Sequence, residues 1–236
     1  MARISIIIPT LNEAAVIRDT LTPLQNLRKR GHEIILADGG STDETLSLSK
    51  PLTDTQFIAE TGRARQMNSG ARKANGEVLL FLHADTLIPP NADELIGGGL
   101  ADTRRCWGRF DVRLSGRQAP LRVVEKLMNL RSRLTHIATG DQAIFIQREI
   151  FEQAGGFPSI PLMEDIAMSK RLKKIGPPLC IRQPAVTSSR RWEEQGILRT
   201  VIFMWRLRLA YFLGASPERL AQRYGYRAAC ATRIRG

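Results

Sequence analysis

The feature that most constrains the fold is a series of apolar runs separated by helical patterns. Runs dominated by Ile, Val and Leu occupy residues 4–8, 33–37 and 77–82. Apolar residues recur at helical spacing over 13–30, although Pro23 predicts a kink or a split, and 62–75 also predicts a helix. Strands that are apolar along their whole length are typical of a parallel sheet covered by helices on both faces. The pattern therefore predicts an α/β fold.

Polar clusters follow these runs, at 9–13, 38–43 and 83–85. In open parallel sheets, ligands bind beyond the carboxyl ends of the strands, so we expect one site at this edge. A carboxylate there can accept a hydrogen bond from a uracil imide or a ribose hydroxyl. Helix capping and turn formation explain Asn12, Glu13 and Asp38 without any ligand, so the residues alone leave both interpretations open.

The second half of the chain is more mixed. Residues 107–114 alternate with period two and predict a half-exposed strand, and 119–137 predicts a helix. Further strands are predicted at 142–146 and 179–182, with a helix between them at 164–175. The 236 residues show no internal repeat and no linker. We expect one domain over 1–192 and a basic, partly apolar helical tail over 193–236.

The charge is concentrated near the C-terminus. The 35 Lys and Arg against 23 Asp and Glu give +12, and the segment 190–236 holds ten arginines, no lysine and three glutamates. Such a surplus is typical of proteins that bind nucleic acid, an anionic membrane surface or a polyanionic substrate. Nucleic acid is the weakest of these, because aromatic residues make up 6% and the charge lies outside the body. No nucleic-acid partner is expected.

Cysteine usage and the N-terminal run indicate the compartment. Cys106, Cys180 and Cys230 are far apart and form no C-x-x-C pair, which excludes a disulfide scaffold and fits a reducing cytosol. The first apolar run is too short for a signal peptide, so it predicts a strand. We expect a cytoplasmic protein, free or at the inner face of the membrane.

Five motifs in order resemble those of family 2 glycosyltransferases, over about 4–192. They are Ile8-Pro9-Thr10-Leu11-Asn12-Glu13, Asp38-Gly39-Gly40-Ser41-Thr42-Asp43, the helix over 62–70, His83-Ala84-Asp85 and Glu164-Asp165. The resemblance implies a GT-A (Rossmann-related) nucleotide-diphospho-sugar transferase fold with a mostly parallel central sheet. It also implies an inverting transfer from a nucleotide-diphosphate sugar, with UDP as the expected nucleotide. More narrowly, the chain resembles the bacterial radical-SAM/selenodomain-associated transferase subgroup.

On the donor side, the resemblance implies roles for residues at the sheet edge and at the start of the helix over 62–70. Arg63 and Arg65 follow Gly62, where guanidinium groups beside free helical N–H groups can bind a diphosphate. A solvated basic face explains this arginine pair equally well. The predicted donor-binding residues are Pro9, Thr10, Asn12, Glu13, Asp38, Arg63, Arg65 and Asp85.

His83-Ala84-Asp85 occupies the place of the family's D-x-D. A departing diphosphate is usually neutralised by Mg²⁺ or Mn²⁺, held by carboxylate and phosphate oxygens. Asp85 suits this role, and alternation places His83 on the same side of the strand. Imidazole favours Mn²⁺ over Mg²⁺, although a histidine at a strand end is more often structural. The predicted cofactor is a divalent metal at Asp85, with His83 as a further candidate ligand.

The resemblance implies that Asp165 is the general base that takes the proton of an acceptor hydroxyl, with Glu164 in reserve. A helix cap is the structural alternative for Asp165. Asp141, Glu164 and Trp192 are the predicted acceptor-binding residues, for a small or lipid-linked acceptor. Ser188 stands where processive members have glutamine, which argues against a polymerising enzyme.

The tail is apolar over 197–213 but interrupted by Arg199, Arg206 and Arg208. These charges exclude a membrane-spanning helix. An interfacial helix, packing on the body and a dimer contact remain equal alternatives, because Arg208 falls opposite the other two arginines on a helix.

Overall fold

The structure is a computed structural model that describes residues 2–225 apart from the side chain of Arg191, so Cys230 and the rest of the predicted tail beyond 225 lie outside the described residues. The strands are β1 (Ile4–Thr10), β2 (Glu33–Asp38), β3 (Thr55–Ile58), β4 (Val78–Phe81), β5 (Thr86–Leu87), β6 (Trp107–Leu114), β7 (Ile144–Gln147) and β8 (Leu179–Thr187). The helices are α1 (Ile17–Lys29), α2 (Thr45–Ser49), α3 (Arg63–Lys73), α4 (Ala92–Thr103), α5 (Ala119–Thr135), α6 (Arg148–Gln153), α7 (Glu164–Ile175), α8 (Arg190–Gln195), α9 (Ile197–Phe212) and α10 (Pro217–Tyr224). Short 3₁₀ turns lie at Lys50–Leu52 and Gly140–Gln142.

The strands form one sheet in the order β3-β2-β1-β4-β7-β6-β8-β5. The first four are parallel, as predicted. β7 is antiparallel to both β4 and β6, β8 is parallel to β6, and β5 closes the sheet antiparallel to β8. The second half of the sheet is therefore mixed.

Strand alternation divides the core between the two faces of the sheet. Ile6 and Ile8 of β1 pack with the apolar faces of α1 and α4. Ile7, between them, packs on the opposite face with residues of α3, α6 and α7. All three isoleucines are fully or almost fully buried. The predicted α/β fold with helices on both faces is confirmed.

Several local predictions differ from the structure. α1 runs unbroken through Pro23, so the predicted split is wrong. α4 was not predicted, because residues 97–99 are all glycine and glycine disfavours helices. It forms because Ile96 and Leu100 are buried in the core, and a Cβ on Gly99 would lie 2.5 Å from the Leu179 side chain. Tertiary packing overrides propensity here.

The mixed pairing brings distant segments to one edge. β1 and β4 end there, and so does β8, whose last residue is Thr187. Because β7 is antiparallel to β4, the residues before β7, at 139–142, lie at the same edge as the residues after β4. This topology places the 83–85 and 139–142 loops side by side.

The described part of the tail packs on the body. Leu207 of α9 and Leu220 of α10 are buried with Ile137, Met163 and Ile166. Among residues 2–225, no helix combines the length and the apolar character needed to cross a bilayer.

Candidate active site

A cleft of about 250 Å³ opens at the edge where β1, β4 and β8 end. Its lining comes from the ends of these strands, from the start of α7 and from α8–α10. Residues predicted from the sequence make up nine of its lining residues. They are Pro9, Glu13, Arg63, His83, Asp85, Asp141, Glu164, Asp165 and Trp192.

Two carboxyl groups, Glu13 and Asp85, lie on the β1–β4 side of the cleft. Burial, followed by the negative charge of Asp85, raises the pKa of Glu13, although Arg190, Arg63 and His83 oppose this effect. Asp85 is half-buried and accepts a weak hydrogen bond of 3.4 Å from the Thr86 hydroxyl. This side of the cleft therefore carries negative charge that its neighbours do not fully neutralise.

Asp38 and Thr10 lie behind the cleft rather than in its lining. Asp38 is fully buried. Its Oδ1 accepts from the backbone N–H groups of Gly40 and Ser41 at 2.8 and 2.6 Å. Its Oδ2 accepts from the Thr10 and Ser41 hydroxyls at 2.9 and 2.6 Å. Asp38 holds the loop in this structure, and its predicted nucleoside contact stays a prediction.

Asn12 is also a loop residue here. It is exposed, has a left-handed backbone (φ 57°), and its Oδ1 accepts from the Thr42 backbone N–H at 2.9 Å. This bond joins the loop after β1 to the loop after β2. Asn12 thus has the structural role in a turn that its residue type predicts, and donor binding by Asn12 stays a prediction.

The structure separates the two predicted arginines. α3 begins after Gly62, whose φ of +130° favours glycine. Arg63 lines the cleft with Nη1 3.7 Å from Glu164 Oε1, whereas Arg65 forms an ion pair with Glu60 outside the lining. Only Arg63 of this pair faces the cleft.

His83 is enclosed by the 139–142 loop. Its Nδ1 lies 3.4 Å from Asp141 Oδ1. Burial opposes ionisation of Asp141, but the hydrogen bond and charge of His83, with Arg63 and Arg131, lower the pKa of Asp141. Gly140 is required here, because a Cβ would lie 2.2 Å from His83 Nε2. Because Nδ1 faces the Asp141 carboxylate and Nε2 lies close against Gly140, His83 is a poorer candidate metal ligand than Asp85.

Glu164 and Asp165 open α7 on the other side of the cleft. Met163 before them has a left-handed backbone (φ 70°), a strained conformation for a non-glycine residue. The Gly140 N–H donates to Asp165 Oδ2 at 2.9 Å, and the Ile166 N–H donates to Oδ1 at 2.7 Å. These bonds orient the Asp165 carboxylate, and Asp165 and Asp85 line the same cleft.

Glu164 is 4% exposed. Burial, followed by the charge of Asp165, raises the pKa of Glu164 to about 7, against the opposing effect of Arg63. The adjacent carboxyl groups are therefore in different environments: Glu164 is inside the protein and Asp165 is half-buried at the cleft. Divergent environments of this kind are typical of acid–base sites.

Sequence reasoning missed four cleft residues in the tail: Thr200, Met204, Arg208 and Tyr224. They face inward from α9 and α10, so the tail forms one wall of the cleft. A signal for Arg208 was available, since helical spacing places it away from Arg199 and Arg206. Arg131 was also missed: its Nε and Nη2 are buried with no hydrogen-bond partner among residues 2–225, and the charges of Asp165 and Asp141 act on it.

The charges of the cleft bear on whether it can hold a divalent cation. Its lining includes five carboxyl groups, from Glu13, Asp85, Asp141, Glu164 and Asp165, and two guanidinium groups, from Arg63 and Arg208. Within residues 2–225, no cluster of three or more His, Cys, Asp or Glu side chains forms a complete metal site. A cation at Asp85 therefore fits the charge and the oxygen chemistry, provided that a bound ligand supplies further oxygens.

The sequence matches a known family. The model of Glycosyl transferase family 2 matches residues 5–152, more than half of the chain. A PGL/p-HBAD biosynthesis glycosyltransferase of Mycobacterium tuberculosis is 42% identical over 88 residues, which cover 34% of this chain and 34% of that protein. The probable glycosyltransferase YdaM of Bacillus subtilis is 26% identical over 238 residues, which cover 91% of this chain and 55% of that protein. This chain thus spans about a third to a half of these relatives.

Solved structures share the fold. TarS 1–349 of S. aureus superposes with a TM-score of 0.65 and 19% identity, covering 79% of this chain and 60% of that chain. The mannosyltransferase PcManGT of Pyrobaculum calidifontis gives a TM-score of 0.63 and 24% identity, covering 94% of this chain and 64% of that chain. The predicted GT-A fold is confirmed, and the narrower subgroup resemblance stays a prediction. By its sequence, the chain belongs to glycosyl transferase family 2.

Proposed function

We propose that this chain transfers a sugar from a nucleotide-diphosphate sugar, with UDP as the expected nucleotide, to an acceptor hydroxyl, and that the anomeric configuration inverts. The observation that carries the proposal is that Asp85 and Asp165, distant in sequence, line one cleft at the carboxyl edge of the sheet. The family match supports sugar transfer as the reaction class.

The donor binds on the β1–β4 side, where Glu13, Arg63 and Asp85 lie. A diphosphate carries negative charge into a cleft whose lining already holds more carboxyl than guanidinium groups. A divalent metal at Asp85 offsets this repulsion and, when bound, neutralises the departing diphosphate. Arg63 provides the fixed positive charge on the same side. Related structures support this donor class: one TarS structure is a complex with UDP-GlcNAc, and the PcManGT structure is a complex with GDP-Man and Mn²⁺.

Asp165 is the proposed base. Its carboxylate is oriented by the N–H groups of Gly140 and Ile166 and faces the cleft. The acceptor oxygen attacks the anomeric carbon while its proton passes to Asp165, and the bond to the diphosphate breaks. One displacement with one base gives inversion.

The acceptor enters on the side of Asp141, Glu164 and Trp192, and its hydroxyl lies against Asp165. Glu164 lies on this side and also pairs with Arg63, whose Nη1 is 3.7 Å from Glu164 Oε1. Arg131, buried beside Asp165 and Asp141, adds positive charge behind the acceptor side. A small or lipid-linked alcohol fits this open cleft.

A thermal-shift screen tests the donor assignment. The protein is titrated with UDP-, GDP- and dTDP-sugars, each with and without Mn²⁺, because a ligand that binds the folded state raises Tm. We expect a Tm increase with one nucleotide class that requires Mn²⁺ in the wild type and disappears in Asp85→Asn. A donor-induced Tm increase that is the same with and without Mn²⁺, and the same in the wild type and in Asp85→Asn, would overturn the metal assignment. An absence of any shift, together with an absence of donor hydrolysis or transfer, would overturn the function.

A further inference from the structure

α9 leaves an apolar stripe exposed. Five of its residues and the residue after it lie within an arc of about 100° at 100° per residue, and all six are between 51% and 78% exposed. They are Leu198, Ile202, Trp205, Leu209, Phe212 and Leu213. Thr200 and Met204 line the cleft from the opposite side of the helix, and Arg208 lines it from a position beside the stripe. Single exposed apolar residues are ordinary, but a continuous stripe indicates a contact surface.

α5 leaves a second stripe exposed. Val123, Leu127, Leu130 and Leu134 recur at helical spacing and are between 48% and 73% exposed. The buried side of α5 holds Leu121, Val124 and Met128, which form a core cluster with residues of α8 and α9. The two stripes thus belong to neighbouring helices.

The two helices run in the same direction. Gly116, just before α5, lies against Glu193 of α8, since a Cβ on Gly116 would lie 2.2 Å from that carboxylate. Ile137, just beyond the end of α5, packs in one cluster with Leu207, in the second half of α9. The beginnings of α5 and α9 therefore lie near each other, and so do their ends.

The two stripes open to the same side of the molecule. On α5, Val124 faces the shared cluster roughly a quarter turn to one side of the stripe. On α9, Val201 packs against that cluster roughly a quarter turn to the other side of its stripe. The two helices run in the same direction, and their contact residues lie on opposite sides of the two stripes. Both stripes therefore face the same side of the molecule. We call this surface the α5–α9 face.

Positive charge borders the α5–α9 face. Arg199 and Arg206 are exposed along one edge of the α9 stripe, and exposed Lys126 borders the α5 stripe. No acidic residue of α9 competes with them, since Ile197–Phe212 contains neither Asp nor Glu. An apolar stripe bordered by arginine, with tryptophan near its middle, is the chemistry that binds the interface of an anionic bilayer.

We infer that the α5–α9 face docks on an anionic lipid surface. The apolar stripes enter the headgroup–acyl boundary, and the bordering arginines and lysine bind lipid phosphates. A second copy of the chain is the weaker occupant, because pairing this face with itself would bring like charges together. Since α9 lines the cleft with its other side, docking holds the cleft next to the lipid surface. This inference does not rest on the proposed function.

Vesicle sedimentation of the full chain tests the inference. Vesicles of phosphatidylcholine, with and without phosphatidylglycerol, are mixed with wild-type protein, with Trp205→Ser/Leu209→Ser and with Arg199→Glu/Arg206→Glu. The control is Ile58→Ser, which removes an apolar side chain of 71% exposure from β3, away from the face. We expect the wild type and the control to bind the anionic vesicles alike, and each double variant to bind at least about tenfold more weakly.

Three results would overturn the inference. These are no binding of the wild type to anionic vesicles, equal binding by the double variants, or a concentration-dependent dimer by analytical ultracentrifugation that Trp205→Ser/Leu209→Ser abolishes. Tm measurements verify that each variant is folded. The donor-induced Tm shift is measured in the same proteins, so that a failure of lipid binding is distinguished from a failure of donor binding.

Discussion

The sheet carries buried carboxyl groups at both of its edges, and their surroundings differ. At the amino edge, Asp93 accepts from Arg30 Nε and Nη2 at 2.7 and 2.8 Å, and lies 3.0 Å from His32 Nε2. At the carboxyl edge, Glu164 has Arg63 at 3.7 Å and Asp165 as its neighbour in sequence. The first carboxylate accepts hydrogen bonds from a close guanidinium group and lies against an imidazole nitrogen, whereas the second has another acid beside it.

The pKa directions follow from these partners. Burial alone would raise the pKa of Asp93, but the hydrogen bonds of Arg30 and His32 outweigh it and lower the pKa to about 2. Burial and Asp165 together raise the pKa of Glu164 to about 7. Both carboxyl groups are buried, so burial does not explain why their pKa values shift in opposite directions. The difference comes from the groups beside them. A carboxylate with a cationic partner, such as Asp93, stabilises the fold. Two adjacent carboxyl groups, such as Glu164 and Asp165, are typical of a catalytic site.

The largest effect that separates the two edges is expected for Asp165→Asn. The amide keeps the shape of the side chain but cannot accept the acceptor proton, so kcat should fall by about 10³-fold. The donor lies on the other side of the cleft, so its affinity should stay nearly unchanged. Initial rates and donor titration calorimetry measure the two quantities. Full activity of Asp165→Asn would show that the base is another group.

The converse effect is expected for Asp93→Asn. The substitution weakens the hydrogen bonds that buried Asp93 accepts from the partly exposed Arg30 and from His32, and should lower the free energy of unfolding by about 2–3 kcal/mol. Urea denaturation measures the loss. The activity per folded molecule should be retained, because Asp93 lies at the opposite edge from the cleft. A large drop in kcat in the folded variant would contradict the division between the edges.

The pH dependence of Asp93 sharpens this prediction. Its pKa is lowered on folding from 3.8 to about 2, so the unfolded state binds the proton more tightly. The stabilisation is therefore complete above about pH 4 and is lost as the pH falls from about 4 to about 2. Asp93→Asn should lack this part of the acid transition. An identical acid transition in the variant and the wild type would assign it to other groups.

The sequence predicted more of the parallel half than of the mixed half. The runs before Asp38 and His83 specify their strands, because continuous apolar residues have few alternatives to a buried strand. The strand at 179–182 was predicted too short and β5 was missed, since their pairing depends on neighbours distant in sequence. α4 was missed because three glycines disfavour a helix, and the packing that outweighs this, such as Gly99 against Leu179, involves residues distant in sequence.

The same limit applies to the cleft. Motif order identified Asp85 and Asp165, and the structure brings both to the lining. The motif did not separate Arg63 from Arg65, because the two residues differ by about 200° of helix rotation and only tertiary packing decides which side of the helix faces the cleft. Arg131 and Arg208 carry no motif, and only tertiary packing brings them near Asp165. Local sequence thus identifies functional residues at strand ends better than functional residues that helices distant in sequence bring to the cleft.

A smaller effect, of opposite sign to that of Asp93, is expected for Glu164. Its pKa is raised on folding from 4.5 to about 7, so between these values the folded state holds a proton that the unfolded state has released. The free energy of unfolding therefore decreases as the pH rises from about 4.5 to about 7. Glu164→Gln should remove this slope and raise the stability at pH 8 by about 2 kcal/mol, while changing little at pH 4. Urea denaturation at both pH values measures the difference. An unchanged slope would mean that Glu164 titrates normally.

The smallest effects are expected for alanine substitutions at two glycines, one in the cleft and one far from it. A Cβ on Gly140 would lie 2.2 Å from His83 Nε2, whereas a Cβ on Gly98 in α4 would have no atom of the described residues within 4 Å. Gly140→Ala must displace His83 or the N–H that holds Asp165, and should lower kcat/KM by about tenfold. Gly98→Ala should raise the stability by about 0.5–1 kcal/mol, because alanine loses less entropy in a helix, and should leave the rate unchanged. Steady-state kinetics and urea denaturation of both variants measure these effects. If Gly140→Ala kept the wild-type rate, the contact between the 139–142 loop and Asp165 would be structural only, and the two edges of the sheet would differ less than their charges indicate.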